Sequence, residues 1–528
     1  MDIGSKLYAL RSKVKMSQEE LAEKLNVSRQ AVQKWERGIS NPDLENIIKI
    51  AKLFSVSVDS LLFDSSFRET EELYGEKVLL PRFEAINASE SYEELLLIEY
   101  KQSMEEGIDV EKYKDLFEVV HGMPRGMHKV KIADVLFDIV RHAPKRGDYA
   151  YDEPSSLHEI RQKSKGYAVK SFSPDENALK SKIAGAWYGR ICGCLLGKPV
   201  EGIRTDELHP LLKDTGNYPM KRYILRSELT DEILDKYKFR LRDRAYPDTI
   251  SCAPVDDDTN YTVLGQMIID KCGRDFKPSD VAKAWLESQP KNAYFTAERM
   301  AYLNLTNGYE PPHSALYKNP YREWIGAQIR ADYYGYINPG HPAMAAEMAW
   351  KDASVSHIKN GIYGAMFVAA MIAAAAAEED MKEIIRAGLS QIPVNSRLHK
   401  ETEALLCDYE NGMTQEECFS KIRRKYDEFD KHDWCHTLSN ALIVTASLLY
   451  GKDDYGKSIC MAVQAGFDTD CNGATVGSVL GMKNGIDSID AYWMRPLNGE
   501  LTTSIFGVGK VKIAELIEKT MTHIKVEF

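Results

Sequence analysis

Apolar positions recur along this chain at intervals of three and four, the period of helices, and fall into separate blocks. In "MSQEELAEKLNVSRQAVQKWERG" the pattern predicts two short helices joined by a tight turn. Ser17 with Glu20 forms a capping box, Leu21 and Leu25 share a face, and Ala22 leaves room for a second helix. "NV" makes the turn, Ser28 caps the next helix, Val32 and Trp35 return to the core, and Gly38 ends it. "NPD" (41–43) then precedes a further apolar pattern of Leu44, Ile47, Ile48 and Leu53.

From about residue 171 the chain is a long series of alanine-rich helical patterns broken by Gly, Pro and Asp. "GAMFVAAMIAAAAA" (364–377) is too short to cross a bilayer and predicts a buried, closely packed helix. No run of alternating strands supports a large sheet, so an all-α protein is expected. Three regions follow: 1–66, 67–170 and 171–528. The first ends in the polar stretch "DSSFRETEE". The second mixes charged helical segments such as "SYEELLLIEYKQSMEEG" with loops, as a spacer or an extra helical layer. Within it, "DEPSSLHEIRQKSKG" predicts a helix start at Ser155 or Ser156.

The N-terminal pattern is a helix-turn-helix, and 3–64 resembles the DNA-binding domain of phage-repressor-type regulators. The resemblance implies that the second helix enters the major groove by its N-terminal end, which carries Ser28, Arg29, Gln30, Gln33 and Lys34. Gln and Arg present paired groups to base edges; Lys34, Arg37 and the capped helix end at Gln18 suit phosphates. One such domain reads a half-site, so a homodimer on a double-stranded operator is expected.

Composition narrows the picture little. With 44% hydrophobic and 28% charged residues and a mean hydropathy of −0.38, the chain has the make-up of a soluble globular protein. A net charge of −11 opposes coating nucleic acid over the whole surface but leaves room for a local basic face. Nine cysteines without a CxxC pair fit a reducing cytoplasm, and neither a signal segment nor a membrane partner is expected.

Charge changes the picture at two places. "GFDTDCNGATVGSVLG" sets Asp468 and Asp470 between apolar stretches, where bare carboxylates are costly. Far upstream, "SCAPVDDDTNYTVLGQMII" sets Asp256, Asp257, Asp258 and Thr259 beside another apolar run. Glu201 ends the small-residue segment "GAWYGRICGCLLGKPVEG". Hard cations take oxygen ligands from Asp, Glu and Thr, so the two clusters meeting across a bundle would hold a pair of Mg²⁺ or Mn²⁺ ions.

"GRICGCLLGKPVEG", "DDDTN", "IGAQIRADYYGYINPGHPAMAAEMAWKDASVSH" and "GFDTDCNGATVGSVLG" stand in the order found in the ADP-ribosylglycohydrolase family, which 175–500 resembles. The resemblance implies an all-α orthogonal helical bundle with a two-metal site, hydrolysing the bond between ADP-ribose and a target. By motif, Asp256, Asp257, Asp258, Asp468 and Asp470 are implied ligands. Glu201 lies beside the metals, and Glu201 or Asp257 is expected to carry the proton. Gly326 and Arg330 match the loop cradling phosphates or distal ribose, and His357 matches a motif histidine. Cys471 stands where the family has Thr or Ser, Cys194 where many members have Asp, and Ile325 where Asn is common. These departures leave open a transcription regulator that senses ADP-ribose without turning it over.

Overall fold

The computed structural model describes residues 3–54, 56, 58, 61, 80–168, 170 and 172–524. The expected boundary at 66/67 and the stretch "DSSFRETEE" lie outside the described residues. The chain divides into two compact units, 1–83 and 84–528, and is mostly helical, with 64% helix and 2% strand.

The first unit holds α1 (Ile3–Lys13), α2 (Gln18–Leu25), α3 (Arg29–Glu36) and α4 (Leu44–Phe54). Ser17 and Glu20 form the reciprocal capping box, and the Ser28 hydroxyl accepts from the Ala31 N–H at 3.1 Å. Asn26 takes a left-handed conformation (φ 57°) to turn between α2 and α3. Leu7, Leu21, Leu25, Val32, Trp35, Ile47 and Ile50 close the core. Of this apolar pattern Leu44 and Ile48 are exposed, because the inward stripe of α4 is centred on Ile47, Ile50 and Ala51.

In the second unit, α5 (Leu96–Glu105), α6 (Lys114–His121) and α7 (Met127–His142) share a small core around Leu96, Phe117 and Leu136. Ser156 caps the next helix, by accepting from the Glu159 N–H. The main bundle uses α8 (Glu176–Gly197), α9 (Asp257–Cys272), α10 (Thr296–Thr306), α11 (Pro342–Ala353), α12 (Lys359–Ala375), α13 (Thr437–Gly451) and α14 (Thr469–Asn484). The alanine-rich α12 is buried along almost its entire length, as its composition predicts. Strand structure among the described residues amounts to an antiparallel pair, β1 (Glu500–Thr502) and β2 (Lys510–Lys512), and isolated bridges.

Helices α8 and α14 carry glycine every fourth residue, and the two ladders face each other. A Cβ at Gly185, Gly189 or Gly193 would overlap the backbone carbonyl of Gly481, Gly477 or Gly473 in turn. Backbone therefore meets backbone over about two turns of helix, where only hydrogen side chains fit. Cys194, Asp470 and Cys471 stand toward one end of this seam, and Arg190 follows Gly189 within it.

Candidate functional site

The acid clusters come from the N-terminal ends of α9 and α14; the glycine seam sets α14 against α8, and α8 reaches the start of α9 through Arg190, which donates to the Asp258 backbone carbonyl and carboxylate. Asp256 is the N-cap of α9, its carboxylate accepting from the Asp258 N–H at 2.9 Å. Asp468 occupies the same position on α14, with no capping bond from its own side chain. Positive helix ends and fixed donors thus point at a crowd of carboxylates.

Two groups of ligand atoms result. Cys194, Asp256 and Asp258 offer atoms within 4.8 Å of one another, and so do Asp258, Asp470 and Cys471. Asp258 belongs to both. Its Oδ1 accepts from the buried Arg190 guanidinium at 2.9 Å. Its Oδ2, like Oδ1 of Asp470, has no hydrogen-bond partner among the described residues, and both side chains are buried. A buried carboxylate oxygen left bare is expensive, and a cation is the direct way to satisfy it.

The proton affinities agree. Burial first, then neighbouring carboxylates, push Asp257 and Asp470 well above the ordinary carboxylate range. Asp258 is pushed up by burial against the pull of Arg190, and burial also raises Asp468. Asp256 goes the other way. Against the cost of burial, the adjacent Lys198 ammonium holds it below its usual value. Glu201 stands exposed at the rim, where desolvation and then the charges of Asp468 and Asp256 bring its carboxyl to about 7. It lines an open groove of about 450 Å³ with Lys198, Arg240, Arg242 and Arg244.

The remaining expected site residues are placed differently. Gly326 lies against the Glu298 carboxylate, where a Cβ would not fit. Arg330 is buried, its guanidinium bound by Glu298, Asp352 and Ser356 and lying over the Trp285 ring. His357 is fully buried, its Nδ1 2.8 Å from the Ser356 hydroxyl. These three form a packed group around Glu298, whose carboxyl burial raises to about 7. None of them belongs to either thiol–carboxylate group.

Sequence reasoning passed over Arg190, Lys198, Glu298 and Cys435. The Cys435 thiol donates to Asp468 Oδ2 at 3.4 Å. Arg190 carried a visible signal, a cation inside the small-residue run "GAWYGRICGC". Glu105, His432 and His436 form a third cluster of ligand types. The two imidazoles stack with centroids 4.7 Å apart and planes inclined by 16°. Lone pairs lying in nearly parallel planes do not converge on one ion, so the pair carries no metal site in this geometry.

On the first unit, Arg29, Gln30 and Lys34 stand exposed along α3 and Gln33 is half-buried. The Ser28 hydroxyl is committed to its cap, and Gln18 donates to Glu36 at 2.7 Å. Glu36 also takes both arms of Arg11, at 2.6 and 3.0 Å. That clamp fixes the start of α2 against the end of α3.

Residues 7–61 match the family described as helix-turn-helix. Over 62 residues, 12% of this chain, identity is 47% to the HTH-type transcriptional activator BcrR of Enterococcus faecalis, covering 30% of that protein. Over 62 residues it is 37% to the HTH-type transcriptional regulator ImmR of Bacillus subtilis (strain 168), covering 49% of it. The chain thus spans less than half the length of these two relatives. A solved structure named ADP-ribosylglycohydrolase-related protein complex aligns with 67% of this chain and 100% of its own, at 16% identity and a TM-score of 0.38. Residues 175–525 match the family described as ADP-ribosylglycohydrolase; with that match taking in most of its length, the chain belongs to the ADP-ribosylglycohydrolase family.

Proposed function

We propose that the chain is a metal-dependent hydrolase that cleaves the glycosidic bond joining ADP-ribose to a target, coupled to a head that binds double-stranded operator DNA as a homodimer. One observation carries the reading. Asp258 and Asp470, more than two hundred residues apart, sit side by side with bare buried oxygens beside a thiol. The residues fit a cation pair: Asp258 between two groups, Asp256 and Cys194 on one side, Asp470 and Cys471 on the other, and Asp468 nearby. When bound, two divalent ions supply positive charge for the ribose hydroxyls and an acidified water.

The chain's own groups do the rest. Arg190 holds Asp258 in place. Glu201, exposed at the rim of the groove with its carboxyl raised to about 7, is the proton carrier, with Asp257 the alternative. Bond cleavage builds positive charge on the ribose ring, and the carboxylates around the site favour that charge. Gly326, Arg330 and His357 act by holding the loop beside the site rather than by meeting the substrate's charge. On the head, Arg29, Gln30 and Gln33 read bases while Gln18, Ser28 and Lys34 lie along the backbone.

The test is a time course of ADP-ribose release from a modified target with Mg²⁺, Mn²⁺ or Zn²⁺. Release that stops on chelation supports the hydrolase. Stoichiometric binding of ADP-ribose without release supports a regulator that senses it, a reading favoured by one observation: the Arg330 guanidinium is already engaged by two carboxylates.

A further inference from the structure

We propose that this chain's cation pair is a mixed thiolate–carboxylate centre, selective for thiophilic first-row ions of the Zn²⁺ and Co²⁺ kind over Mg²⁺, with Cys194 and Cys471 as ligands. The inference rests on the hydrolase reading only for the existence of a cation pair.

Each group of three donors contains one sulfur and two carboxylates, and Asp258 is common to both. The sulfurs arrive from opposite sides of the glycine seam: Cys194 follows Gly193 on α8, and Cys471 lies two residues before Gly473 on α14. Their separation is therefore fixed by a close backbone-to-backbone contact between helices, not by flexible loops. Both thiols are buried, as are the bare oxygens Asp258 Oδ2 and Asp470 Oδ1 that face the same space.

Mg²⁺ requires near-octahedral oxygen and keeps its waters, whereas sulfur donors select Zn²⁺ and its neighbours. Three protein ligands with a fourth position open is the pattern of hydrolytic zinc. A thiol that coordinates gives up its proton. Two dications with Arg190 and Lys198 oppose the charge of the buried carboxylates and of two thiolates, Arg190 being shared between Asp258 and Asp332.

The test titrates Co²⁺ into the metal-stripped full-length chain and follows the near-ultraviolet sulfur-to-cobalt charge-transfer band. The expected result is a band saturating at two equivalents, about halved in Cys194→Ser and in Cys471→Ser and absent in the double variant. Loss of either sulfur lowers Co²⁺ affinity by more than about tenfold, the cost even of an outer partner. Mg²⁺ competes in Cys471→Ser at concentrations that leave the wild type unchanged. Cys471→Thr is the second variant, with circular dichroism to confirm folding. Cobalt bound without the band, a band that survives the double variant, or Mg²⁺ competing equally in wild type and Cys471→Ser overturns the proposal. A sulfur band without ADP-ribose release leaves this inference standing and removes the hydrolase reading; no divalent ion bound at all removes both.

Discussion

Arg190 grips Asp258 twice, donating to its backbone carbonyl at 2.9 Å and to one carboxylate oxygen at 2.9 Å, and so leaves the other oxygen facing the site. The same guanidinium reaches Asp332 at 2.8 Å, with all three side chains fully buried. Replacing Arg190 by Met strands two carboxylates in a low-dielectric interior. We expect a loss of about 3–5 kcal/mol, the usual cost of removing one partner of a buried pair, read as a drop in the urea midpoint. Arg190→Lys recovers part of it, since one ammonium lacks the planar fork that serves both partners.

Gly193→Ala tests the seam. The new methyl meets the Gly473 carbonyl, and backbone cannot rotate aside as a side chain does. The expected cost is about 1–3 kcal/mol of stability, with α8 and α14 pushed apart. Because Cys194 and Cys471 flank this contact, divalent-ion affinity falls as well. Calorimetric unfolding with and without metal separates the two effects. Gly216→Ala, with open space around its Cβ but a positive φ of 62°, isolates the backbone strain alone.

The acids were legible because charge in an apolar setting is a local signal: "DDDT" and "DTD" announce themselves. The head was legible for the same reason, its caps and helix period being written within a few residues. Glu298 and Cys435 were not, since their meaning lies in partners 32 and 33 residues away, Arg330 and Asp468; Arg190 stood out as a lone cation, but its partner Asp332 lies 142 residues away. Arg330 shows the limit from the other side. A motif places it near the site, yet Glu298 and Asp352, which decide what its charge does, carry no local mark. The glycine spacing was visible as small residues, but not that one ladder faces another.

Residues 84–170 gave the sequence no assignable role, and burial explains why they matter. Arg322, inside the bundle, is held by Glu106 at 2.6 Å and by Glu99 at 3.1 Å, both from the neighbourhood of α5. Arg397 is held by Glu153 at 2.9 Å. Removing Glu106 by Ala leaves Arg322 and Lys359 short of a counter-charge. We expect about 3–5 kcal/mol of destabilisation by urea titration; an unchanged midpoint would mean that the segment is only a spacer.

For the head, a DNA site selected by the full-length chain from a random pool is the probe. Gln30→Ala is expected to cost about 1–3 kcal/mol on that site and to relax base preference at one position. Lys34→Ala weakens all sequences alike and lowers the salt slope by about one. Equal loss on selected and random DNA for Gln30→Ala would move that residue from base to backbone.

Glu105 gives the second unit a pH dependence that a substitution can remove. Its carboxyl sits among Arg397, Asp433, Lys101, Glu323 and His436, and burial, outweighing Arg397, raises it to about 8. A carboxyl raised above its unfolded value binds more protons in the native state than in the unfolded one throughout the interval between the two. Its contribution to stability is therefore complete below the unfolded value near 4.5 and is lost as pH rises toward 8. Glu105→Gln, always neutral, should abolish this component and hold the urea midpoint at pH 8 closer to its value at pH 5. His432 and His436, which burial depresses well below the ordinary histidine range, are neutral when folded and take up protons on unfolding, so they raise stability with pH in wild type and Glu105→Gln alike and cancel in the difference between the two. If wild type and Glu105→Gln lose stability in parallel between pH 5 and 8, the carboxylate is already ionised in the folded chain, with Arg397 as its counter-charge.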